Sequence, residues 1–76
     1  MDTFERVADL VAELFSTTTD SITEDTNFKF DLGADELDDI EIILAAEKEF
    51  GISIPDDEAA TVDTVGDLVH IIESKI

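Results

Sequence analysis

Asp31-Leu32-Gly33-Ala34-Asp35-Glu36-Leu37-Asp38-Asp39-Ile40-Glu41-Ile42-Ile43-Leu44-Ala45-Ala46-Glu47-Lys48-Glu49-Phe50-Gly51 reads as one helix with both ends marked. Asp35 can accept from the backbone N–H of Asp38, and the acidic Asp38 three positions on completes a capping-box pattern. Glu36, Asp38 and Asp39 fill the first turn, where the helix dipole favours negative charge. Phe50 closes the run, and Gly51 is placed for the left-handed residue that follows a helix. The apolar arc is wide: Leu37, Ile40, Ile43, Leu44 and Phe50, with Ile42, Ala45 and Ala46 beyond it. Asp38, Glu41, Lys48 and Glu49 share a narrow polar face. A helix this apolar is either central in its bundle or keeps surface for a ligand or partner.

Working outward, two further segments have helical periodicity. From about Thr3 to Phe15, Phe4, Val7, Leu10, Val11 and Leu14 recur at helical spacing, and Ser16 to Ser21 is a turn-forming stop. The last helix starts at Thr64, with Asp67 in the capping-box position and Val65, Leu68, Val69, Ile72 and Ile76 as its buried stripe. Gly66, near the start of that helix, should cost little there. The connection from Phe15 to Gly33 is long enough to need anchors, and Ile22, Phe28, Phe30 and Leu32 are expected to pin it to the core. Ile52 to Pro55 is extended, and Asp56 to Ala60 allows one short turn of helix. No strand alternation is present. The expected fold is all-α: a single domain over residues 1–76, built as a bundle of three main helices and one short one.

Composition excludes several functions. The chain of 76 residues carries 21 Asp+Glu against 4 Lys+Arg, a formal net charge of -17. Arg6, Lys29, Lys48 and Lys75 cannot make the basic stripe that a nucleic-acid binder needs, and anionic membranes would repel the chain. With no cysteine there is no disulfide, thiolate zinc site or thiol nucleophile. The start Met1-Asp2-Thr3-Phe4-Glu5 lacks a signal-peptide pattern, and no apolar run reaches transmembrane length, so a cytoplasmic monomer is expected. Disorder is countered by 43% hydrophobic residues in regular patterns.

Catalysis has no constellation behind it. His70 is the single histidine and has no sequence partner that would make it a general base. Asp31, Asp35, Asp38 and Asp39 gather around one helix start, and Glu47, Asp56, Asp57 and Glu58 around the other end. Oxygen-only ligands suit weak calcium or magnesium binding, but the alternating EF-hand pattern is absent, so charge screening is the better reading. The acidic second helix is the main functional feature. Combined with the net charge, it can steer a basic partner at long range.

These residues carry a resemblance. Asp31-Leu32-Gly33-Ala34-Asp35-Glu36-Leu37-Asp38, then Glu41, then Glu47-Lys48-Glu49-Phe50-Gly51-Ile52-Ser53-Ile54-Pro55-Asp56-Asp57-Glu58-Ala59, resembles the acyl carrier proteins of type II fatty acid synthesis. Thr64-Val65-Gly66-Asp67-Leu68 resembles the start of that family's last helix, and Phe4 to Leu14 fits its first. The family holds its acyl chain on 4′-phosphopantetheine, attached to the serine of an Asp-Ser-Leu sequence. Here that position reads Asp35-Glu36-Leu37. A carboxylate would form at best a mixed anhydride that water cleaves, so no cofactor is expected on this chain. Asp35, Leu37, Asp38, Glu41 and Glu47 match positions that the family turns toward basic faces of its fatty acid, polyketide and other acyl-transfer enzymes. The resemblance also implies an acyl-binding interior contributed by Ile54, Ala59, Val62, Leu68 and Ile72. Lys29-Phe30, where acidic residues are more usual, and Ala46, where a larger apolar residue is common, depart from the family pattern.

Three functional readings follow: a docking module without an attachment site, a true carrier blocked at Glu36, and a non-covalent lipid binder. All three share the self-repulsion of the carboxylates, which lowers the stability of so small a domain. The melting temperature is expected to rise between low and moderate salt; a midpoint that does not move would remove self-repulsion from the account.

Overall fold

The computed structural model describes residues 2–76 and has the expected all-α architecture. Helix α1 spans Thr3–Leu14, α2 Glu36–Phe50, α3 Asp56–Ala59 and α4 Val65–Glu73, with one 3-10 turn at Thr19–Ser21. Each long helix starts with a reciprocal capping box. Asp2 accepts from Glu5 N–H at 2.8 Å, Asp35 from Asp38 N–H at 2.9 Å, and Thr64 from Asp67 N–H at 3.1 Å. Every one of these satisfies a backbone donor that the first turn would otherwise leave unpaired. The Asp67 carboxylate accepts from both Asp63 N–H and Thr64 N–H. Those two backbone donors hold its pKa below the ordinary carboxylate value.

The core is assembled from Val7, Ala8, Val11 and Ala12 of α1, Ile42 and Ala46 of α2, and Val65, Leu68, Val69 and Ile72 of α4. Ile22, Phe28 and Ile54 enter from the connections. In α1 Val7 and Val11 are buried as the sequence pattern predicted, Phe4, Leu10 and Leu14 are half-buried beside them, and Ala8 and Ala12 complete the face; in α4 the stripe follows the pattern except that Ile76 is 63% exposed. The helix stops at Glu73, and Ser74 Oγ donates to the Ile71 carbonyl at 2.6 Å, so Ile76 leaves the stripe. The inward face of α2 is also not the one its apolar arc suggested. Ile42 and Ala46 are buried, with Ile43 and Phe50 packed beside them, while Leu37, Ile40 and Leu44 are 69%, 56% and 58% exposed.

The long connection is anchored by Ile22 and Phe28, with Leu32 packed against the core. Phe30, expected to be a fourth anchor, is 80% exposed. Asn27 is the cause. Its side-chain carbonyl accepts from Lys29 N–H and Phe30 N–H, both at 2.9 Å, and its own N–H donates to the Asp31 carboxylate at 2.8 Å. This tight turn sends Phe28 inward and Phe30 outward. Gly33 follows in the left-handed region at φ 67°.

The start of α4 is stitched to the same connection. Phe28 N–H donates to the Asp63 carbonyl, Val65 N–H to Thr26, and Gly66 N–H to Glu24 at 2.9 Å. At the far end, Arg6 ties α1 to the C-terminus of α2. Its guanidinium lies 4.2 Å from the Phe50 ring centre, pairs with the Glu49 carboxylate at 3.0 Å and donates to the Glu49 carbonyl. A cation there also suits the negative end of the helix dipole.

Gly66 is more demanding than its place near a helix start suggested. A Cβ on it would lie 2.9 Å from the Glu24 carbonyl oxygen, the atom that accepts its own N–H. Gly66→Ala is therefore expected to cost about 1–3 kcal/mol, the usual penalty of overpacking. Urea unfolding would show this as a lower midpoint at unchanged slope, and an unchanged midpoint would mean the connection yields freely.

Candidate functional site

The first turn of α2 displays the residues of interest. Asp35 is the N-cap and Glu36 the first helical residue, and both are exposed. At 100° per residue, Glu36, Leu37, Ile40, Glu41, Leu44 and Lys48 share the arc opposite Ile42 and Ala46. The outcome is an apolar strip bordered by carboxylates and one lysine. Of the five positions matched to docking, Asp35, Leu37 and Glu41 are exposed. Asp38 is half-buried, with one oxygen held by Asp35 N–H at 3.1 Å. Glu47 points elsewhere: its half-buried carboxylate accepts from Ile54 N–H at 2.7 Å. Glu49, read as part of the polar face, is taken by Arg6. Capping is local and readable, but the Glu47 partner lies beyond the helix end and the Glu49 partner in α1, and neither leaves a sequence signal.

Beside this arc lies a cleft of about 540 Å³ between α2, the turn at Phe28 and the segment from Ile54 to Asp63. Buried Phe28, Ile42 and Ile54 form its base, and Ile43, Ala59 and Val62 its apolar sides. Asp39 and Ile40 lie on its α2 side, one turn beyond Glu36. Of the five residues that the resemblance assigns to an acyl-binding interior, Ile54, Ala59 and Val62 line this cleft. Leu68 and Ile72 do not; both are completely buried in the core of α4.

Asp31, Asp35, Asp38 and Asp39, considered for calcium or magnesium, are divided among separate tasks. Asp31 holds Asn27, while Asp35 and Asp38 hold each other's backbone. Among the described residues no group of three carboxylate or histidine side chains is arranged to hold a metal ion. His70 is exposed.

Residues 5–72 match the family model described as "Phosphopantetheine attachment site". Over 71 residues the chain is 54% identical to an acyl carrier protein of Lactobacillus acidophilus, covering 93% of this chain and 89% of that one. This chain belongs to the acyl carrier protein family. The architecture agrees. An acyl carrier protein from Enterococcus faecalis superposes with a TM-score of 0.83 at 35% identity, over 97% of this chain and 94% of that one. A putative acyl carrier protein from Mycobacterium tuberculosis does so with a TM-score of 0.93 at 27% identity, over 99% and 100%. Acyl carrier proteins are non-catalytic carriers of fatty acid biosynthesis. No helix among the described residues is long and apolar enough to cross a membrane.

The carboxylates at the start of α2 are not equivalent. The pKa of Asp39 is raised above its ordinary value, first by desolvation beside the cleft and then by the charges of Asp38, Asp35 and Glu36. A carboxyl whose pKa is raised on folding binds protons more readily in the folded state, so its ionisation destabilises the fold as pH rises. Asp39→Asn is expected to raise stability at pH 7, with the gain disappearing once pH falls below the ordinary value of 3.8. Thermal unfolding of both proteins across that range checks this, and a loss of stability at pH 7 would reverse the sign.

Proposed function

We propose that this acyl carrier protein family member works by docking on acyl-transfer enzymes of lipid metabolism without being loaded with phosphopantetheine. The observation that carries the reading is Glu36. It occupies the exposed first position of α2, where the resemblance places the attachment serine, between the matching Asp35 and Leu37. A serine hydroxyl makes a stable phosphodiester; a carboxylate does not. A negative charge at that position imitates part of the loaded form while lacking its arm.

The outward strip of Leu37, Ile40 and Leu44 supports docking, because contiguous exposed apolar residues bordered by charge suit a partner surface. Glu36 and Glu41 flank the strip, and the chain's charge of -17 favours encounter with basic faces. Scaffolding, regulation and competition with a loaded carrier are the roles such a module can fill.

A second reading has its own support in the cleft. An apolar space one turn beyond Glu36 fits a true acyl carrier whose loading is blocked only at this residue. One experiment addresses both readings. The unaltered chain, Glu36→Ser, and Glu36→Ser with Glu41→Lys are incubated with a phosphopantetheinyl transferase, coenzyme A and magnesium, and followed by intact mass. The unaltered chain is expected to stay unmodified, Glu36→Ser to gain one phosphopantetheine, and the added Glu41→Lys to slow that gain several-fold. Modification of the unaltered chain would overturn the role assigned to Glu36. A folded Glu36→Ser that gains nothing would instead mark a surface diverged from transferases.

A further inference from the structure

Helix α3 is the least secured element of the bundle. It is four residues long, contains no buried residue and starts after Pro55 without a side-chain cap. One turn of helix has little stability of its own, since nucleation is the costly step. Yet Asp56, Ala59 and Ala60 of this segment form a wall of the cleft. How wide the cleft stands therefore depends on what holds α3 in place.

Ala59 packs against the core, and two polar contacts add to this from outside the turn. Just before Pro55, the Glu47 carboxylate fixes Ile54 N–H to α2 at 2.7 Å. Within α3, the Glu58 carboxylate meets Lys75 Nζ at 2.9 Å. Lys75 is itself well placed, because its N–H donates to the Ile72 carbonyl at 2.9 Å and Ser74 N–H to that of His70. Ile72 is fully buried, so the backbone of Lys75, just past the end of α4, is tied to a buried turn of that helix. Neither Glu58 nor Lys75 lines the cleft, which leaves the pair acting on the wall from behind.

We propose that Glu58 and Lys75 form a latch that keeps α3 closed over the cleft, with the Ile54–Pro55 segment, held by Glu47, as the fixed end about which α3 moves. Releasing the pair leaves α3 held through Ala59, which packs against the core, while every fully buried residue stays in place because α3 contributes none. The opened cleft takes apolar ligands more readily, the class its Phe28, Ile42, Ile43, Ile54 and Val62 lining suits. Both partners are only partly covered, so the latch is weak and reversible. This inference concerns α3 and does not depend on how Glu36 is read.

The test compares the unaltered protein with Lys75→Ala, Lys75→Arg and the swapped pair Glu58→Lys with Lys75→Glu. NMR measures amide exchange, and titration with N-phenyl-1-naphthylamine, a neutral apolar dye, measures access to the cleft. The amides of Ala59 and Ala60, which donate to Pro55 and Asp56 carbonyls, report on α3. Lys75→Ala is expected to speed their exchange about twofold to fivefold, the worth of a partly exposed ion pair. It should leave α1 and α4 amides unchanged and tighten dye binding by a similar factor. Lys75→Arg and the swapped pair should restore both readings. Unchanged exchange at Ala59 and Ala60, equal acceleration throughout the chain, unaltered dye binding, or a swapped pair that behaves like Lys75→Ala would each overturn the latch.

Discussion

Carboxylates in this chain find their positive partners mainly in the backbone. Four cationic side chains face 21 acidic ones, and Arg6 and Lys75 make the two ion pairs among the described residues. Backbone N–H groups take up part of the excess. Asp2, Asp35, Asp38 and Asp67 accept them at the starts of α1, α2 and α4, where four donors per helix have no internal partner and the dipole is positive. Asp31 and Glu47 do the same within connections. Each such cap contributes about 1 kcal/mol, a useful sum for a small domain under self-repulsion. The acidity that opposes compaction thus also marks where helices begin. Asp67 and Asp39 show the two sides of this: backbone donors pull the first below its ordinary pKa, while burial and neighbouring carboxylates push the second above.

Because capping is local chemistry, the helix starts were legible in the sequence. Thr64 with Asp67 and Asp35 with Asp38 could be read three residues at a time, and so could the stop at Gly51, which has φ 64°. The stripes of α1 and α4 were legible because each has one apolar face. The inward face of α2 was not. Ile40 and Leu44 are chemically as good a core pair as Ile42 and Ala46, so periodicity could not choose between them. That choice is made by packing against α1 and by the cleft. Phe30 and Ile76 were misread for a related reason: hydrophobicity cannot show that Asn27 turns the chain at one and Ser74 ends the helix before the other. Glu47 resembled a surface acid until Ile54 N–H, seven residues away, was found on it.

The orientation of α2 has a consequence for interaction. Burying a small alanine at position 46 and directing Leu37, Ile40 and Leu44 outward leaves apolar area in water that a docked partner can remove. Under the proposed docking role, Glu36 and Glu41 beside the strip give an incoming basic face its direction. Such charges affect encounter and orientation more than affinity, whereas the apolar strip supplies the contact itself. In the proposed docking role, one helix face therefore supplies both steering charge and apolar contact.

The cleft and the core share their base but not their outer wall. Phe28, Ile42 and Ile54 belong to the buried cluster and also floor the cleft, so that surface is as rigid as the bundle. The opposite wall, α3, buries no residue fully and is held by Ala59 against the core and by its polar attachments. In a domain with so limited a core, an open space lined by apolar side chains forgoes packing contacts. On the proposed latch the wall that moves lies at the edge of the core, which limits that loss, since displacement of α3 need not separate α1, α2 and α4. Local opening can then occur at a free energy well below global unfolding, the condition under which a small bundle can admit a ligand and remain folded.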